Sequence, residues 1–159
     1  MSSECSPDLC PPYVSFFGYM GMAAAQVFAV FGAAYGTAKA SSGICAAGVI
    51  RPDQVIRLSI PVIMAGIVGL YGLVTSMTLM TAIGGPTYTL EKSFKHFASG
   101  LICGLCALGS GIAIGVGGDA GVRGTAQQPR LFTGLMLIMI FAEVLGLYGF
   151  VISVALVLV

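Results

Sequence analysis

The sequence predicts an all-α integral membrane protein with four transmembrane helices, built as a tandem duplicated helical hairpin and assembling into a ring. Three observations predict this fold class: the composition, four long apolar stretches and an internal repeat. Of the 159 residues, 57% are hydrophobic and 8% are charged, whereas about a quarter of the residues of an average soluble domain are charged. Each apolar stretch exceeds the roughly 20 residues that a helix needs to cross a bilayer.

The predicted spans are Val14 to Ala38, Val55 to Ile83, Phe94 to Gly118 and Leu131 to Val159. Strands are not expected, because each stretch is continuously apolar and does not alternate. A lipid-exposed sheet would also leave backbone groups unpaired, whereas helices pair their own. The spans are therefore predicted to be helices.

The chain is predicted to be a single four-helix membrane domain, residues 1–159, with hairpin repeats at 14–83 and 94–159. The N-terminal segment has neither the basic residues nor the small-residue cleavage site of a secretory signal. We therefore expect the first span to remain in the mature protein.

The basic residues predict the orientation, because cytosolic connections carry an excess of Lys and Arg. Of the seven basic residues, five flank the first and third connections and two lie in the middle one. We therefore expect the first and third connections in the cytosol and both termini in the lumen. The five are Lys39, Arg51, Arg57, Arg123 and Arg130, and the two are Lys92 and Lys95.

An internal repeat relates the two hairpins. IMAGIVGLYGLV, from Ile63, aligns with IFAEVLGLYGFV, from Ile140, at a shift of 77 residues (140 − 63). In the preceding helix GAAYG, from Gly32, matches GIAIG, from Gly111, at a shift of 79 (111 − 32). We expect the connecting loops to absorb the difference of two residues, and the repeat predicts a duplicated hairpin.

A single carboxylic acid, Glu143, interrupts the last apolar stretch, and its counterpart at a shift of 77 is Gly66. An ionised acid at the centre of a spanning helix costs at least about 3 kcal/mol, so the protonated form should prevail. Because only one repeat has the acid, the fold does not require it. Intramembrane acids mark ion or proton pathways; the alternative is an acid that only holds helices together by a hydrogen bond.

The carried ion is predicted to be a proton. Sodium would need several oxygen ligands, and the side chains around Gly66, the presumed neighbour of Glu143, supply none. Tyr71 and Ser110 could each supply one, and Tyr71 is the candidate hydrogen-bond partner of the carboxyl. Gln26 is expected to hydrogen-bond a neighbouring helix. We expect no cofactor and no metal site.

Small residues line one face of the first and third spans, whereas the second and fourth spans are bulkier. Such stripes let helix backbones approach closely in lipid. They fit a ring of several copies with the small-faced helices inside, and packing within one monomer would explain them equally well. The predicted packing positions are Gly32, Gly36, Gly66, Gly100, Gly104, Gly111 and Gly115.

Four motifs carry a resemblance to a known family. They are GAAYGTAK (32–39), IPVIMAGI (60–67), GDAGVRGTAQQPRLF (118–132) and IFAEVLGLYG (140–149). The chain resembles the proteolipid c subunits of eukaryotic V-type proton ATPases over nearly its whole length. The resemblance implies a rotor ring that conducts protons while ATP is hydrolysed elsewhere, with Glu143 as the proton carrier. The position of the acid fits the principal c form or its close paralogue.

The resemblance also implies partners and a location. The partners are other copies and paralogous c-type subunits in the ring, membrane lipid, the stator's a subunit, which supplies an arginine, and the central stalk's d subunit. The d subunit is expected on the cytosolic loops Lys39 to Gln54 and Asp119 to Arg130. The implied location is the vacuole or another acidic endomembrane. Net charge near zero argues against nucleic acid as a partner.

Two other functions fit a four-helix membrane protein with one acid. A small proton-coupled secondary transporter should have a cavity lined by aromatic residues, yet the chain contains no Trp. A structural or pore-forming proteolipid would need no acid. Cys103 and Cys106 form CxxC without further metal ligands, so they are expected to be buried as small hydrophobes. Cys5 and Cys10 lie in the presumed luminal tail, and the sequence leaves open whether they are free thiols or form a local or an intermolecular disulfide.

Overall fold

The computed structural model of this chain describes residues 13–83 and 88–158. The predictions for Cys5, Cys10 and the N-terminal segment lie outside these residues. The helices are α1 (Val14–Ile50), α2 (Val55–Leu58), α3 (Ile60–Ile83), α4 (Leu90–Gln127) and α5 (Phe132–Leu158). Among the described residues, four helical segments are long and apolar enough to cross a membrane, with α2 and α3 forming one of them. The predicted fold class is confirmed.

Proline and capping residues set the ends of the helices. Pro52 and Pro129 each begin a short 3₁₀ turn at the sharp reversal between two spans, where the missing N–H of proline costs nothing. At the start of α4 the Thr89 hydroxyl accepts a hydrogen bond from the Lys92 N–H at 3.5 Å. Glu91 lies in the first turn, where a negative charge complements the helix dipole.

Two helices continue beyond their predicted ends. α1 runs twelve residues past Ala38 (50 − 38), and α4 runs nine past Gly118 (127 − 118). The cytosolic loops predicted at 39–54 and 119–130 are therefore mostly helix, and that prediction was wrong. Hydropathy detects where the hydrocarbon ends, whereas a helix can continue into water.

Ion pairs hold these helix extensions together. Lys39 Nζ of α1 lies 3.3 Å from an Asp119 oxygen of α4, and Arg123 Nε donates to the other oxygen at 2.8 Å. A Cβ added at Gly43 would lie 2.8 Å from the Asp119 Cα, so the two backbones are in close contact here. At about 1.5 Å per residue, the 37 residues of α1 form a helix longer than the hydrocarbon core, which is roughly 30 Å thick.

Glycines allow α1 and α4 to pack closely. A Cβ added at Gly36 would lie 2.6 Å from the Gly111 carbonyl oxygen, and one at Gly115 would lie 2.8 Å from the Gly36 Cα. No described glycine has a positive φ, so close approach, and not backbone conformation, requires these glycines. The prediction is confirmed for six positions: Gly32, Gly36, Gly100, Gly104, Gly111 and Gly115.

Gly66 is the exception among the predicted packing positions. It is exposed, and a Cβ added there would meet no atom within 4 Å. The buried face of α3 is formed by Pro61, Ala65, Val68 and Gly72 among others, and Gly66 lies off that face. Its predicted packing role within the chain was wrong.

A single shift relates the packing of the two hairpins. A Cβ added at Gly69 would lie 3.3 Å from the Cβ of Ala33, and a Cβ added at Gly146 would lie 3.1 Å from that of Ser110. The two glycines are 77 residues apart (146 − 69), and so are Ala33 and Ser110 (110 − 33). The shift of 79 predicted for the first helix of each hairpin was therefore wrong. Glycines spaced by three and four residues align in several registers, so the sequence match was ambiguous.

Candidate proton-carrying site

Glu143 lies near the middle of α5, half-buried where this helix faces α3. The hydroxyl of Tyr71, from α3, donates a hydrogen bond to Glu143 Oε1 at 3.2 Å. The hydrogen-bond partner predicted for the carboxyl is therefore confirmed. A carboxyl group in an apolar surrounding needs such a partner, because an unpaired polar group is costly there.

Contacts with neighbouring side chains hold both the aromatic ring and the backbone carbonyl of Tyr71. It stacks on Phe150 of α5, with the ring centroids 5.5 Å apart and the planes inclined by 29°. The Tyr71 carbonyl accepts a hydrogen bond from Thr75 Oγ1 at 2.9 Å, and the same hydroxyl lies 3.2 Å from Cys103 Sγ. Phe150 and Thr75 were not predicted from the sequence, since neither differs in type from many other residues of the spans.

Ser110 does not reach the carboxyl. Its hydroxyl donates to the carbonyl of Ala142 at 2.7 Å, so it holds α4 against α5 at the residue before Glu143. A Cβ added at Gly146, one turn further, would lie 3.1 Å from Ser110 Oγ. Ser110 thus positions the backbone that carries the acid, and Tyr71 contacts the acid itself.

The neighbour of Glu143 on α3 is Tyr71, and the prediction that Gly66 would lie beside the acid was wrong. Gly66 is exposed and has open space around it. Tyr71 follows it by five residues (71 − 66), which is about 140° further around a helix at 3.6 residues per turn. The two residues therefore point to different sides of α3.

Charged partners of Glu143 are absent from the described part of the chain. The ion pairs there join Lys39 and Arg123 to Asp119, and Lys95 to Glu91. No group of three or more His, Cys, Asp or Glu residues could hold a metal ion within residues 13–83 and 88–158. The site as described is one carboxyl group with one neutral donor.

Gln26 does not make the hydrogen bond predicted for it. Its Oε1 atom is buried without a partner among the described residues. It faces a groove lined largely by apolar residues such as Met22, Leu73 and Met77. The one nearby hydroxyl, that of Ser76, donates to the Met22 carbonyl at 3.1 Å. Gln26 is therefore separate from the carboxyl site.

Fold and site together define a membrane protein of two like hairpins, in which we call α1 and α4 the inner helices and α3 and α5 the outer helices. One carboxyl group lies between the outer helices. The family model of the ATP synthase C subunit matches the chain twice, at residues 20–79 and 97–156. The starts of the two matches are 77 residues apart (97 − 20), which is the shift found in the packing.

Curated relatives are similar over nearly the whole chain. The chain is 60% identical over 146 residues to a 16 kDa proteolipid c subunit of the V-type proton ATPase of Caenorhabditis elegans, covering 91% of each chain. It is likewise 60% identical over 146 residues to the corresponding proteolipid of Ascaris suum, covering 91% of each. It is 54% identical over 149 residues to the V-type proton ATPase c subunit of Candida tropicalis, covering 94% of this chain and 92% of that one. The chain belongs to the family of proteolipid c subunits of V-type proton ATPases.

Proposed function

We propose that Glu143 is the proton carrier of this chain. As a c subunit of the V-type family, the chain is a component of the proton-translocating rotor ring, a multi-pass membrane protein that assembles with other c subunits. The observation that supports Glu143 is its position. It is the one acidic residue of the described spans that lies in the middle of a helix, held by Tyr71 from the facing helix.

The carboxyl crosses lipid in its neutral form. Exposing the ionised form at the centre of a bilayer costs at least about 3 kcal/mol, whereas the protonated acid keeps its own hydrogen and accepts another from Tyr71. A proton is loaded where water from the cytosol reaches the ring and is released where water from the lumen does. Moving one proton against about 100 mV requires roughly 2.3 kcal/mol, which ATP hydrolysis elsewhere in the complex supplies.

Release requires a cation that the described part of this chain does not supply. None of the seven Lys and Arg residues pairs with Glu143 in the described structure. The stator's a subunit, by presenting an arginine, would favour the carboxylate and so displace the proton. The lack of a counter-charge among the described residues thus supports a partner that supplies one.

The helix extensions provide a surface for the central stalk. The ends of α1 and α4 beyond Ala38 and Gly118 are helical and are joined by the ion pairs of Asp119. A rigid cytosolic end can transmit torque better than a flexible loop. The central stalk's d subunit therefore binds this end. Because this end faces the cytosol, both termini lie in the lumen. The ring belongs to the vacuole or another acidic endomembrane.

The test is Glu143→Gln in the assembled complex, with ATP-driven acidification of vesicles as the readout. We expect the ring to assemble and acidification to fall to the level seen without ATP, because an amide cannot carry a proton. Glu91→Gln is the matched control, since Glu91 is exposed in the first turn of α4, and the ring with this substitution should pump normally. Undiminished pumping by the Glu143→Gln ring would refute the assignment.

A further inference from the structure

Two arginines lie where the outer helices meet at their cytosolic end, away from the proton-carrying site. Arg57 belongs to α2, which leads into α3, and Arg130 lies in the 3₁₀ turn that leads into α5. The guanidinium carbon of Arg57 lies 4.1 Å from the centroid of the Phe132 ring of α5, a cation–π contact. This contact holds the charge of Arg57 beside the turn that carries Arg130, two residues before Phe132 (132 − 130).

The charges of this arginine pair are not neutralised within the described part of the chain. Both side chains are exposed, and the ion pairs of the described residues are those of Asp119 and Glu91. Asp53, four residues before Arg57 (57 − 53), does not pair with it there. Stacking occupies the face of a guanidinium and leaves the N–H donors in its plane, which match a phosphate group. The arginine pair can therefore bind an anion.

Large apolar side chains beside the arginine pair place it at the membrane surface. Ile56 is 90% exposed and Leu131 is 50% exposed, and each directly adjoins one of the arginines in sequence. Further along the outer helices the exposed residues include Ile63 and Ile138. Exposed apolar and basic side chains at one height fit the boundary between hydrocarbon and headgroups, where long basic side chains reach toward the polar layer.

The corresponding positions of the repeat have the opposite charge. At the shift of 77, the counterparts of the two arginines and of the aromatic ring are a glycine, an aspartate and a valine. The pairs are Arg57 and Gly134, Arg130 and Asp53, and Phe132 and Val55. Two positive charges in one place thus correspond to one negative charge in the other. The hairpin fold does not require the arginines, and the described chain has one such pair.

From these observations we infer that Arg57 and Arg130 bind the phosphate headgroup of an anionic phospholipid, with Phe132 holding Arg57 in position. The cytosolic leaflet carries anionic lipids, and basic pockets between transmembrane helices on that side bind their headgroups. The arginine pair lies in this leaflet because of the orientation given under the proposed function, on which the inference rests in this respect. The acyl chains of the lipid lie against the exposed apolar residues of the outer helices.

Lipid fits the arginine pair better than an acidic protein does. At the ends of the inner helices, where we place the central stalk, Lys39 and Arg123 are both paired with Asp119. The ends of the outer helices instead combine unpaired positive charge with an isoleucine, Ile56, that is 90% exposed. A phospholipid supplies a phosphate and hydrocarbon at these two neighbouring places at once, whereas an acidic protein surface would leave the isoleucine against polar groups.

Native mass spectrometry of the assembled ring tests the inference. The purified ring is exchanged into detergent with added phosphatidylserine or phosphatidylcholine, and the lipids that each ring retains are counted. We expect the unmodified ring to retain phosphatidylserine in preference to phosphatidylcholine. An arginine near an anionic membrane surface contributes about fivefold in affinity, so Arg57→Gln combined with Arg130→Gln should weaken phosphatidylserine binding roughly twentyfold.

Lys92→Gln combined with Lys95→Gln is the matched control, because it removes the same charge from the opposite end of the spans. This ring should retain phosphatidylserine as the unmodified ring does. If the double arginine variant does not assemble, Arg57→Gln and Arg130→Gln are measured singly, and each should weaken binding about fivefold.

Four results would overturn the inference. They are equal retention of the two lipids, an equal loss in the lysine control, release of phosphatidylserine by inorganic phosphate, and a double arginine variant that keeps its lipid but loses the d subunit. The third would assign the arginines to a soluble anion and the fourth to a protein contact. A ring that pumps but retains no phosphatidylserine refutes this inference alone, whereas the proposed function is tested separately by pumping of the Glu143→Gln ring.

Discussion

The two hairpins of this chain share their packing but not their polar chemistry. In both, the outer helix lies against the inner one through glycines, Gly69 and Gly72 in the first and Gly146 and Gly149 in the second. The acid is present only in the second, where Glu143 stands in the place of Gly66. The comparison shows that glycine contacts hold the hairpin together and that the carboxyl group is an addition which folding does not require.

Relocating the acid from the second hairpin to the first should have the largest effect. In a ring of Glu143→Gln chains, Gly66→Glu returns one carboxyl per chain to an outer helix at the equivalent position. Because Gly66 has space around it and is the counterpart of Glu143 at the shift of 77 (143 − 66), we expect pumping to rise from background to a substantial fraction of normal. Acidification of vesicles, corrected for the amount of ring, is the measurement.

A second acid position controls for the mere presence of a carboxyl. Val74→Glu in the same Glu143→Gln background also places an acid on an exposed part of α3, but eight residues from position 66 (74 − 66). It should not restore pumping. Equal recovery from both positions, or from neither, would show that the two hairpins are not equivalent around position 66.

Helix contacts inside the chain should be less tolerant of substitution than exposed positions of the same inner helices. A Cβ added at Gly111 would overlap the backbone of Gly32, and overpacking a tight contact costs typically about 1–3 kcal/mol. We expect Gly111→Ala to lower the temperature at which the ring dissociates in detergent. Ala34→Gly, at the exposed counterpart position 77 residues earlier (111 − 34), should change this temperature far less, and a larger loss from Ala34→Gly would reverse the comparison.

Removing one phenol hydroxyl should distinguish Tyr71 from Tyr148, its counterpart at the shift of 77 (148 − 71). Tyr71→Phe removes the hydrogen bond to Glu143 but keeps the ring stacked on Phe150. A hydrogen bond of this kind contributes about 0.5–1.5 kcal/mol, so we expect the pumping rate to fall by about two- to tenfold. Tyr148 is exposed and bonds no carboxyl among the described residues, so Tyr148→Phe should change the rate by less than about twofold. Equal losses from the two variants would mean that Tyr71 does not act on the carboxyl.

Much of this structure could be predicted from the sequence, because the bilayer imposes strong patterns. The four spans were predicted from their hydrophobicity. Glu143 was predicted as the functional residue because it is an acid inside one of these apolar spans. Tyr71 was predictable because it has the hydroxyl group nearest in sequence to Gly66, the counterpart of Glu143. The ends of α1 and α4 were not, since Lys39 and Asp119 mark the edge of the hydrocarbon and not the end of a helix.

Other features depend on which way a side chain points. Gly66 was placed in a helix contact because of its residue type, but its position around α3 turns it outward. Phe150 and Thr75 support Tyr71 through geometry that residue type does not indicate. The repeat was found, but the register of its first helix was wrong because glycines recur every three or four residues and match at more than one shift.

The smallest expected effect concerns Ser110, whose counterpart in the first hairpin is Ala33. The first hairpin thus already shows that alanine is accepted at this contact, with the Cβ of Ala33 3.3 Å from a Cβ built at Gly69. Ser110→Ala removes the hydrogen bond to the Ala142 carbonyl but leaves its partner in a helix, where the carbonyl keeps its backbone donor. We expect a loss of about 1 kcal/mol or less in the stability of the ring and a pumping rate within about twofold of normal. A loss of pumping as large as that from Tyr71→Phe would show that Ser110 acts on the carboxyl directly, and that the second hairpin has acquired two residues for proton carriage instead of one.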